Sequence, residues 1–230
     1  MRFERSFKEP GLAPGVEPTR ERILRTAFEL FHEQGYHATA VATILRESGL
    51  NPGSMYHAFG SKDDLLIGVL EFALVLCRPA VIAPVEAREA DPIGRVFALL
   101  GQYRAGMELR GCRMGCPIGN LALEVADDHP RARELIHRNF ENWAGMVGEW
   151  LEAAGDRLPR DCDRVRLARF VLTVMEGGLM QARAAGDLGP FDESVAELRR
   201  YFDVLEEKAR GERVGKAGTK TRGGAPRGPG

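Results

Sequence analysis

The sequence has no hydrophobic run long enough to cross a membrane and no readable secretory leader. Its best apolar stretches, Leu65–Leu76 and Phe170–Met180, are shorter than the roughly 20 residues that a membrane helix needs. The first 18 residues carry charges and three prolines but no apolar segment of the kind that directs secretion. We therefore expect a cytoplasmic protein that has no membrane partner.

The sequence also has few cysteines and almost no net charge. Four cysteines without a secretory leader predict reduced thiols and not a disulfide framework. The net charge of −1 gives no bulk signal for nucleic-acid binding, so such binding must be argued from local geometry. With 44% hydrophobic and 28% charged residues, the 230-residue chain has the composition of a folded globular protein of at most two units.

What is present is a succession of helical patterns, and no strand-like alternation is sustained, so an all-α fold is predicted. Residues 1–18 are rich in proline and glycine and are expected to form a flexible leader. A first helix is predicted from an N-cap at Thr19 to just before Gly35, and a fourth helix from Ser61 to Pro79 or Pro84. Further helices are predicted at about 92–109, 117–125, 130–154, 163–185 and 192–208.

Between the first and fourth helices lie two short helices joined by a turn. The second helix is predicted over 39–48, and Gly49 supplies the positive φ of a tight exit. Asn51 is expected to cap the third helix, with Pro52 at its first position. Met55 and Phe59 then fall on its inner face, which leaves Gly53, Tyr56 and His57 on the outer face.

This layout is that of a helix-turn-helix, which presents its last helix to the DNA major groove. Gly53 would let the backbone approach a phosphate, Tyr56 and His57 would donate to phosphate oxygens, and Lys62 starts the next helix. On geometry alone, a small helical hairpin whose polar side chains merely cover the surface stays open as an alternative.

The segment "TRERILRTAFELFHEQGYHATAVATILRESGLNPGSMYHAFGSKDDLL" resembles the DNA-binding domain of the TetR family of bacterial repressors over residues 19–66. The resemblance implies that Thr39, Tyr56, His57 and Lys62 hold phosphates, while Asn51, Pro52, Gly53 and Ser54 lie against base edges of an operator. The sequence departs from the family at Ala40, Pro52 and Ala58, so some contacts are expected to differ.

The resemblance also implies a transcriptional repressor that a small-molecule signal releases from double-stranded DNA, and not an enzyme. Residues 19–65 would form the DNA-binding domain, and 66–208 an effector-binding and dimerisation bundle. Residues 209–230 are basic and are expected to be a disordered tail. No cofactor is expected.

The two helices over 163–185 and 192–208 look like the pair through which the family forms homodimers. Facing pairs of helices would build a four-helix bundle, since one recognition helix reads too few bases for useful specificity. The apolar and small residues expected in this interface are Phe170, Val174, Gly178, Leu198, Tyr201, Phe202 and Leu205. Completion of a monomer core is the alternative for these helices.

A set of flexible apolar side chains could line an effector pocket with a polar contact from Asn120, and ordinary core packing is the alternative for most of them. The candidate pocket residues are Met107, Cys112, Cys116, Asn120, Phe140, Trp143 and Met175. The segment around Cys116 resembles a TetR subgroup with a Gly-Cys-x-x-Gly-Asn-Leu pattern, some of whose members respond to reactive electrophiles and small unsaturated acids. A helix start after Cys116 favours a thiolate and predicts a lowered thiol pKa, although an inert buried thiol stays open.

The sequence supports two other functions less well. An enzyme or small-molecule-binding protein using Cys116 would need a catalytic constellation, and no nucleophile elbow, phosphate loop or H-E-x-x-H motif is present. A zinc site at Cys112 and Cys116 with His129 and His137 has poor spacing, so no metal is expected. A sequence-blind architectural DNA protein would need broad positive charge, which residues 20–47 lack.

Overall fold

A computed structural model describes residues 19–220, with the side chains of Ser54, Tyr56 and residues 215–220 left out of the description. The expected leader at 1–18 and the last ten residues lie outside this range. Throughout the described range the regular structure is helical. The helices are α1 Thr19–Gln34, α2 Val41–Ser48, α3 Pro52–Ala58, α4 Lys62–Cys77, α5 Ala83–Arg88, α6 Pro92–Leu109, α7 Pro117–Val125, α8 Pro130–Ala153, α9 Arg164–Ala185 and α10 Gly189–Lys220.

Helices α1 to α3 form a compact triple because short turns connect them. Gly49 ends α2 with φ +66°, where its N–H reaches back to Arg46 and Leu45 carbonyls, as the sequence predicts. Met55 and Phe59 are buried on the inner side of α3, also as predicted. These contacts fix the direction in which the outer face of α3 points.

Helix α4 starts as predicted, but it does not end where predicted. The Ser61 hydroxyl accepts from the Asp64 N–H at 3.0 Å and caps the helix. Beyond Cys77 the chain passes through a π-helical turn over Arg78–Ile82 and continues into α5, so neither Pro79 nor Pro84 stops it. The wider π turn accommodates the prolines because their missing N–H groups fall at the first positions of each segment.

The continuous helix Lys62–Arg88 is 27 residues long and apolar enough to cross a membrane by length and composition. Its apolar residues Leu65, Leu66, Val69 and Leu70 are instead buried within the protein. The helix lies against α1 and α8. We therefore interpret it as the central core helix that joins the two halves of the chain.

The C-terminal half is a bundle in which α8, α9 and α10 pack side by side. Helix α10 continues to Lys220, so the expectation of a disordered tail is wrong for residues 209–220. Ala209 is buried, and Lys208 and Arg213 form ion pairs with Asp161 and Asp156. These contacts hold the extension of α10 against the turn before α9.

Two hydrophobic clusters form the core, and their division differs from the expected domain boundary at residues 65 and 66. One cluster fills the C-terminal bundle. The other holds α1 to α3 and the first half of α4 together with Leu121, Val125, Ala132, Leu135 and Ile136 from α7 and α8. The N-terminal half therefore completes its core with side chains from the second half.

Candidate DNA-binding and effector sites

Helix α3, in the N-terminal half of the protein, has an exposed outer face. Asn51, Pro52, Gly53 and His57 are exposed, while Met55 is completely buried beneath them. Ser54 and Tyr56 belong to the same helix. The exposed residues thus include half of the eight that the sequence predicts for DNA contact, on a helix of the size that enters a major groove.

Thr39 is a correction to the predicted contact set. Its side chain has no exposed area, and its hydroxyl donates to the Gly35 carbonyl at 2.6 Å and to the Leu30 carbonyl at 3.3 Å. A direct phosphate contact by this hydroxyl is therefore wrong for this structure. Thr39 instead ties the end of α1 to the start of α2.

Lys62 is only partly available for a phosphate. Its ammonium group donates to the Tyr36 carbonyl at 2.6 Å and lies 4.3 Å from the centre of the Tyr36 ring. Desolvation lowers the pKa of Lys62, and the carboxylates of Glu124 and Asp63 oppose that shift. The side chain therefore braces the loop after α1 in addition to any role toward DNA.

The C-terminal half contains a buried polar cluster built around Cys116, the residue that caps α7. The Cys116 sulfur accepts from the Gly119 N–H at 3.5 Å, and its thiol also contacts the carboxyl group of Glu176 on α9. Tyr103 and Trp143 lie beside them, with ring centres 6.4 Å apart in an edge-on arrangement. We call Tyr103, Cys116, Trp143 and Glu176 the signal cluster.

The signal cluster leaves two polar atoms without a partner. Within the described residues, Trp143 Nε1 and Glu176 Oε1 are buried and have no hydrogen bond. The Tyr103 hydroxyl is near the indole N–H, but the pair lacks hydrogen-bond geometry. The other tryptophan shows the usual outcome, since Trp150 Nε1 donates to Glu86 at 2.9 Å.

The prediction that Cys116 has a lowered thiol pKa is wrong. Burial raises the pKa of Cys116 well above its ordinary value, and the nearby Glu176 carboxylate raises it further. The N–H groups at the start of α7 lower it by less. Burial also raises the pKa of Glu176. Cys116 is therefore a protonated thiol that can donate to Glu176.

The remaining predicted effector residues divide into two groups. Met107, Cys112, Trp143 and Met175 are buried in the C-terminal core, with Phe140 partly buried between the two clusters. Asn120 does not offer a free polar contact, because its amide donates to the Met114 carbonyl and its oxygen accepts from Arg183 at 3.1 Å.

The loop between α6 and α7 contacts the DNA-binding half directly. Gly111, Cys112, Met114 and Gly115 all have positive φ, so the loop is tightly coiled. His32 on α1 reaches the carbonyl oxygens of Met114 and Gly115 at 3.1 and 2.9 Å. Burial lowers the pKa of His32. In residues 19–220 no three His, Cys, Asp or Glu side chains gather in a way that would hold a metal ion.

The predicted dimer residues split between the surface and the core. Phe170 and Tyr201 are 45% and 46% exposed, and their rings meet edge to face with centres 5.8 Å apart. With Val174 and Leu205 they border a groove between α9 and α10. Leu198 and Phe202 are instead buried in the protein's own core. Gly178 also faces inward, since a Cβ there would lie 2.9 Å from the Phe191 ring.

Sequence reasoning missed three residues that the structure brings to these sites. Tyr103 and Glu176 join Cys116 from α6 and α9, and Glu124 of α7 reaches the loop after α1. Cys116 lies 13 positions from Tyr103 and 60 from Glu176, and Tyr36 lies 88 positions from Glu124, so no helical spacing signals these contacts. The one available hint is a glutamate on the apolar helix α9, where a buried charge is costly.

A helix-turn-helix with an exposed recognition helix, mounted on an all-helical bundle, defines a DNA-binding transcriptional regulator. Residues 23–69 match the family described as bacterial regulatory proteins of the tetR family, and residues 92–198 match the tetracyclin repressor-like C-terminal domain. The chain belongs to the TetR family of transcriptional regulators.

Similar proteins span almost the whole fold. An uncharacterised HTH-type transcriptional regulator of Mycobacterium tuberculosis is 32% identical over 202 residues, which are 85% of this chain and all of that protein. The HTH-type regulator LmrA of Bacillus subtilis is 31% identical over 75% of this chain and 90% of its own. The crystal structure of a regulatory protein TetR from Rhodobacter sphaeroides has a TM-score of 0.71 at 23% identity, covering 79% of this chain and 97% of that one.

Proposed function

We propose that this regulator is a cytoplasmic repressor that holds its operator as a homodimer and releases it when a small molecule occupies the signal cluster. The observation that carries the release step is the pair of buried, unpartnered atoms Trp143 Nε1 and Glu176 Oε1. An unpaired buried polar atom costs about 1–3 kcal/mol, so such a pair is retained where a ligand satisfies it. The operator contacts proposed are Asn51, Pro52, Gly53, Ser54, Tyr56, His57 and Lys62.

The two atoms restrict the chemistry of the signal molecule. Trp143 Nε1 needs an acceptor, while Glu176 Oε1 is best served by an N–H or O–H donor. A second acidic group beside Glu176 would have to share one proton with it or bring a further charge into the buried site, and an uncharged ligand avoids both costs. An uncharged amide or alcohol fits these atoms, and a carboxylate does not.

A second candidate for the signal is an electrophile that alkylates Cys116. The observation in its favour is the contact between the thiol and Glu176, together with the resemblance of the surrounding segment to electrophile-responsive family members. With an unsaturated electrophile, the sulfur would form a bond to the β-carbon as the C=C π bond breaks, and the thiol proton would pass through Glu176 to the α-carbon. The raised pKa of the buried thiol makes this reaction slow at neutral pH.

Fluorescence anisotropy with DNA from upstream of the protein's own gene, against a scrambled duplex at fixed salt, tests the proposal. We expect a clear preference for the upstream DNA. A panel of small amides and alcohols with matched carboxylates, and separately N-ethylmaleimide, is then added. Release by an amide or alcohol supports the non-covalent signal, and release by a carboxylate alone contradicts it.

The variant Cys116→Ser separates the two signals, with Cys162→Ser as the control at a partly exposed thiol. Release by N-ethylmaleimide that only Cys116→Ser abolishes identifies the covalent route. Equal binding to upstream, neighbouring-promoter and scrambled DNA would reject the repressor itself. Higher transcription of the adjacent gene in a deletion strain identifies repression, and lower transcription identifies activation.

A further inference from the structure

The loop between α1 and α2 is held by one carboxylate from the other half of the protein. Glu124 accepts from the Tyr36 N–H at 2.8 Å through Oε2 and from the His37 N–H at 2.6 Å through Oε1. Both oxygens of one side chain thus bind consecutive backbone donors. Hydrogen bonds of this kind, with a charged acceptor, are about twice as strong as neutral ones.

The local sequence is adapted to this grip. Gly35 has φ +87°, and a Cβ there would lie 2.9 Å from Glu124 Oε2, so a larger residue would displace the carboxylate. From the opposite side, Lys62 donates to the Tyr36 carbonyl, and the Tyr36 hydroxyl donates to Asp63. The loop that precedes the two DNA-reading helices is therefore fixed on both sides.

Helix α7 carries Glu124 at one end and reaches the signal cluster at the other. The helix is nine residues long and is capped by Cys116. In its first turn, Gly119 lies so close to Glu176 that a Cβ would overlap the carboxylate oxygen. Leu121 and Val125 anchor the helix in the core that surrounds α1. A short helix with buried anchors moves as one body, so a shift near Glu176 moves Glu124 as well.

We infer that Glu124 is a positioning residue that transmits the state of the signal cluster to the helix-turn-helix through α7. The inference rests on the proposed function, because it assigns a route between that cluster and the operator-binding surface. The route is specific, since it passes through two hydrogen bonds to the loop between α1 and α2. Loss of the grip frees the orientation of the recognition helix, which must then be fixed at the cost of entropy when DNA binds.

Hydrogen exchange of the Tyr36 and His37 amides tests the grip without any DNA or ligand. In Glu124→Gln we expect these two amides to exchange about tenfold faster or more, because the variant loses the charge-assisted hydrogen bonds that protect them. The control is Glu134→Gln, which removes the same charge from an exposed position on α8. Unchanged exchange in Glu124→Gln would overturn the inference.

A double-mutant cycle on operator affinity tests the transmission. Gly119→Ala perturbs the end of α7 that lies away from Glu124. If the Gly119→Ala protein does not fold, Glu176→Gln replaces it as the perturbation. In the parent protein we expect either change to shift operator Kd several-fold. In the Glu124→Gln background we expect the same change to shift Kd by less than about twofold. Independent sites would instead give the same shift in both backgrounds. Effects that simply add in the two backgrounds would refute the route through Glu124.

The two proposals fail in different ways. If the parent protein binds no operator, the proposed repressor function fails, and exchange at Tyr36 in Gly119→Ala still reports on the route. Faster exchange there, 83 positions from the substitution, supports coupling through α7. Unchanged exchange there, in a variant that melts as one folded species, contradicts it.

Discussion

Glu176 and Cys116 illustrate how burial changes the chemistry of single side chains in this protein. Each has its pKa raised by removal from water, and the Cys116 thiol contacts the Glu176 carboxyl group. The sequence placed Cys116 at a helix start, where N–H groups stabilise a thiolate. In the folded chain, desolvation outweighs that effect.

The carboxyl group of Glu176 should make stability depend on pH. Its folded pKa lies above its unfolded value, so the neutral form is favoured by folding, and this contribution is present at low pH and lost as pH rises through the folded pKa. The pKa of an unfolded glutamate is about 4.3. As pH rises above that value, we expect the parent protein to lose stability relative to Glu176→Gln, so the free energy of unfolding of the variant increases relative to that of the parent. Urea titrations between pH 4 and 8 measure this increase.

Exposed Glu134 supplies the comparison for that experiment. Glu134→Gln removes one carboxylate from an exposed position and so controls for the loss of a negative charge. An offset from the parent that stays constant between pH 4 and 8 for Glu176→Gln would show that Glu176 is ionised in the folded protein as readily as in the unfolded one.

Single residues were predictable where their partners are near in sequence. Met55, Phe59 and the Ser61–Asp64 cap follow from helical periodicity and capping preferences, and the structure confirms them. Glu124 and Glu176 were not predictable, because their partners Tyr36 and Cys116 lie in distant segments. A polar residue that acts through tertiary contacts leaves no periodic signal.

At the level of elements, the helices with proline at their start were predicted best. The bounds of α6 and α7 agree with prediction because Pro92 and Pro117 fall at the first helical position, where the missing N–H has no cost. The same residue type misled at Pro79 and Pro84. There the chain widens into a π turn and continues, which a local rule for proline does not anticipate.

The packing of α9 against α10 depends on a glycine. A Cβ at Gly178 would lie 2.9 Å from the Phe191 ring and 3.4 Å from its Cα, so Gly178→Ala forces the helices apart. We expect a loss of about 1–3 kcal/mol in the free energy of unfolding, typical of overpacking. Thermal and urea denaturation measure this loss.

Gly145 provides the matched control on the neighbouring helix α8. A Cβ there meets nothing within 4 Å, and the position is exposed. Gly145→Ala should therefore stabilise the protein by up to about 1 kcal/mol through helix propensity alone. A similar gain for Gly178→Ala would show that the two helices are packed less tightly than the structure indicates.

At the level of the whole molecule, we propose that two copies associate through the surface that carries the exposed aromatic pair Phe170 and Tyr201. TetR regulators form dimers, and this groove between α9 and α10 is where the family resemblance puts the contact. Leu198 and Phe202, predicted for the same surface, belong to the monomer core because α10 turns them inward. Periodicity predicted the helix but not which of its apolar residues are buried within the monomer.

Phe170→Asp should therefore convert the protein to a monomer. We expect sedimentation equilibrium to show the monomer mass, and operator affinity to fall at least about 100-fold because one recognition helix reads only one half-site. Val75→Asp is the control, since Val75 is an exposed apolar residue on α4, outside the groove. A Phe170→Asp protein that stays dimeric would place the interface elsewhere.

The core that α1 to α4 share with α7 and α8 limits how this protein can be recombined with its relatives. The design of a chimeric regulator assumes that a DNA-binding domain and a ligand-binding domain can be exchanged at the boundary between them. In this protein a junction between the two domains would fall within α4. It would remove Leu121 and Val125 from the core of the DNA-binding domain and separate Glu124 from the loop between α1 and α2. A functional hybrid must therefore take the DNA-binding domain and α7 from the same parent. Substitutions selected for ligand response in α7 would then also limit which changes of operator the protein tolerates.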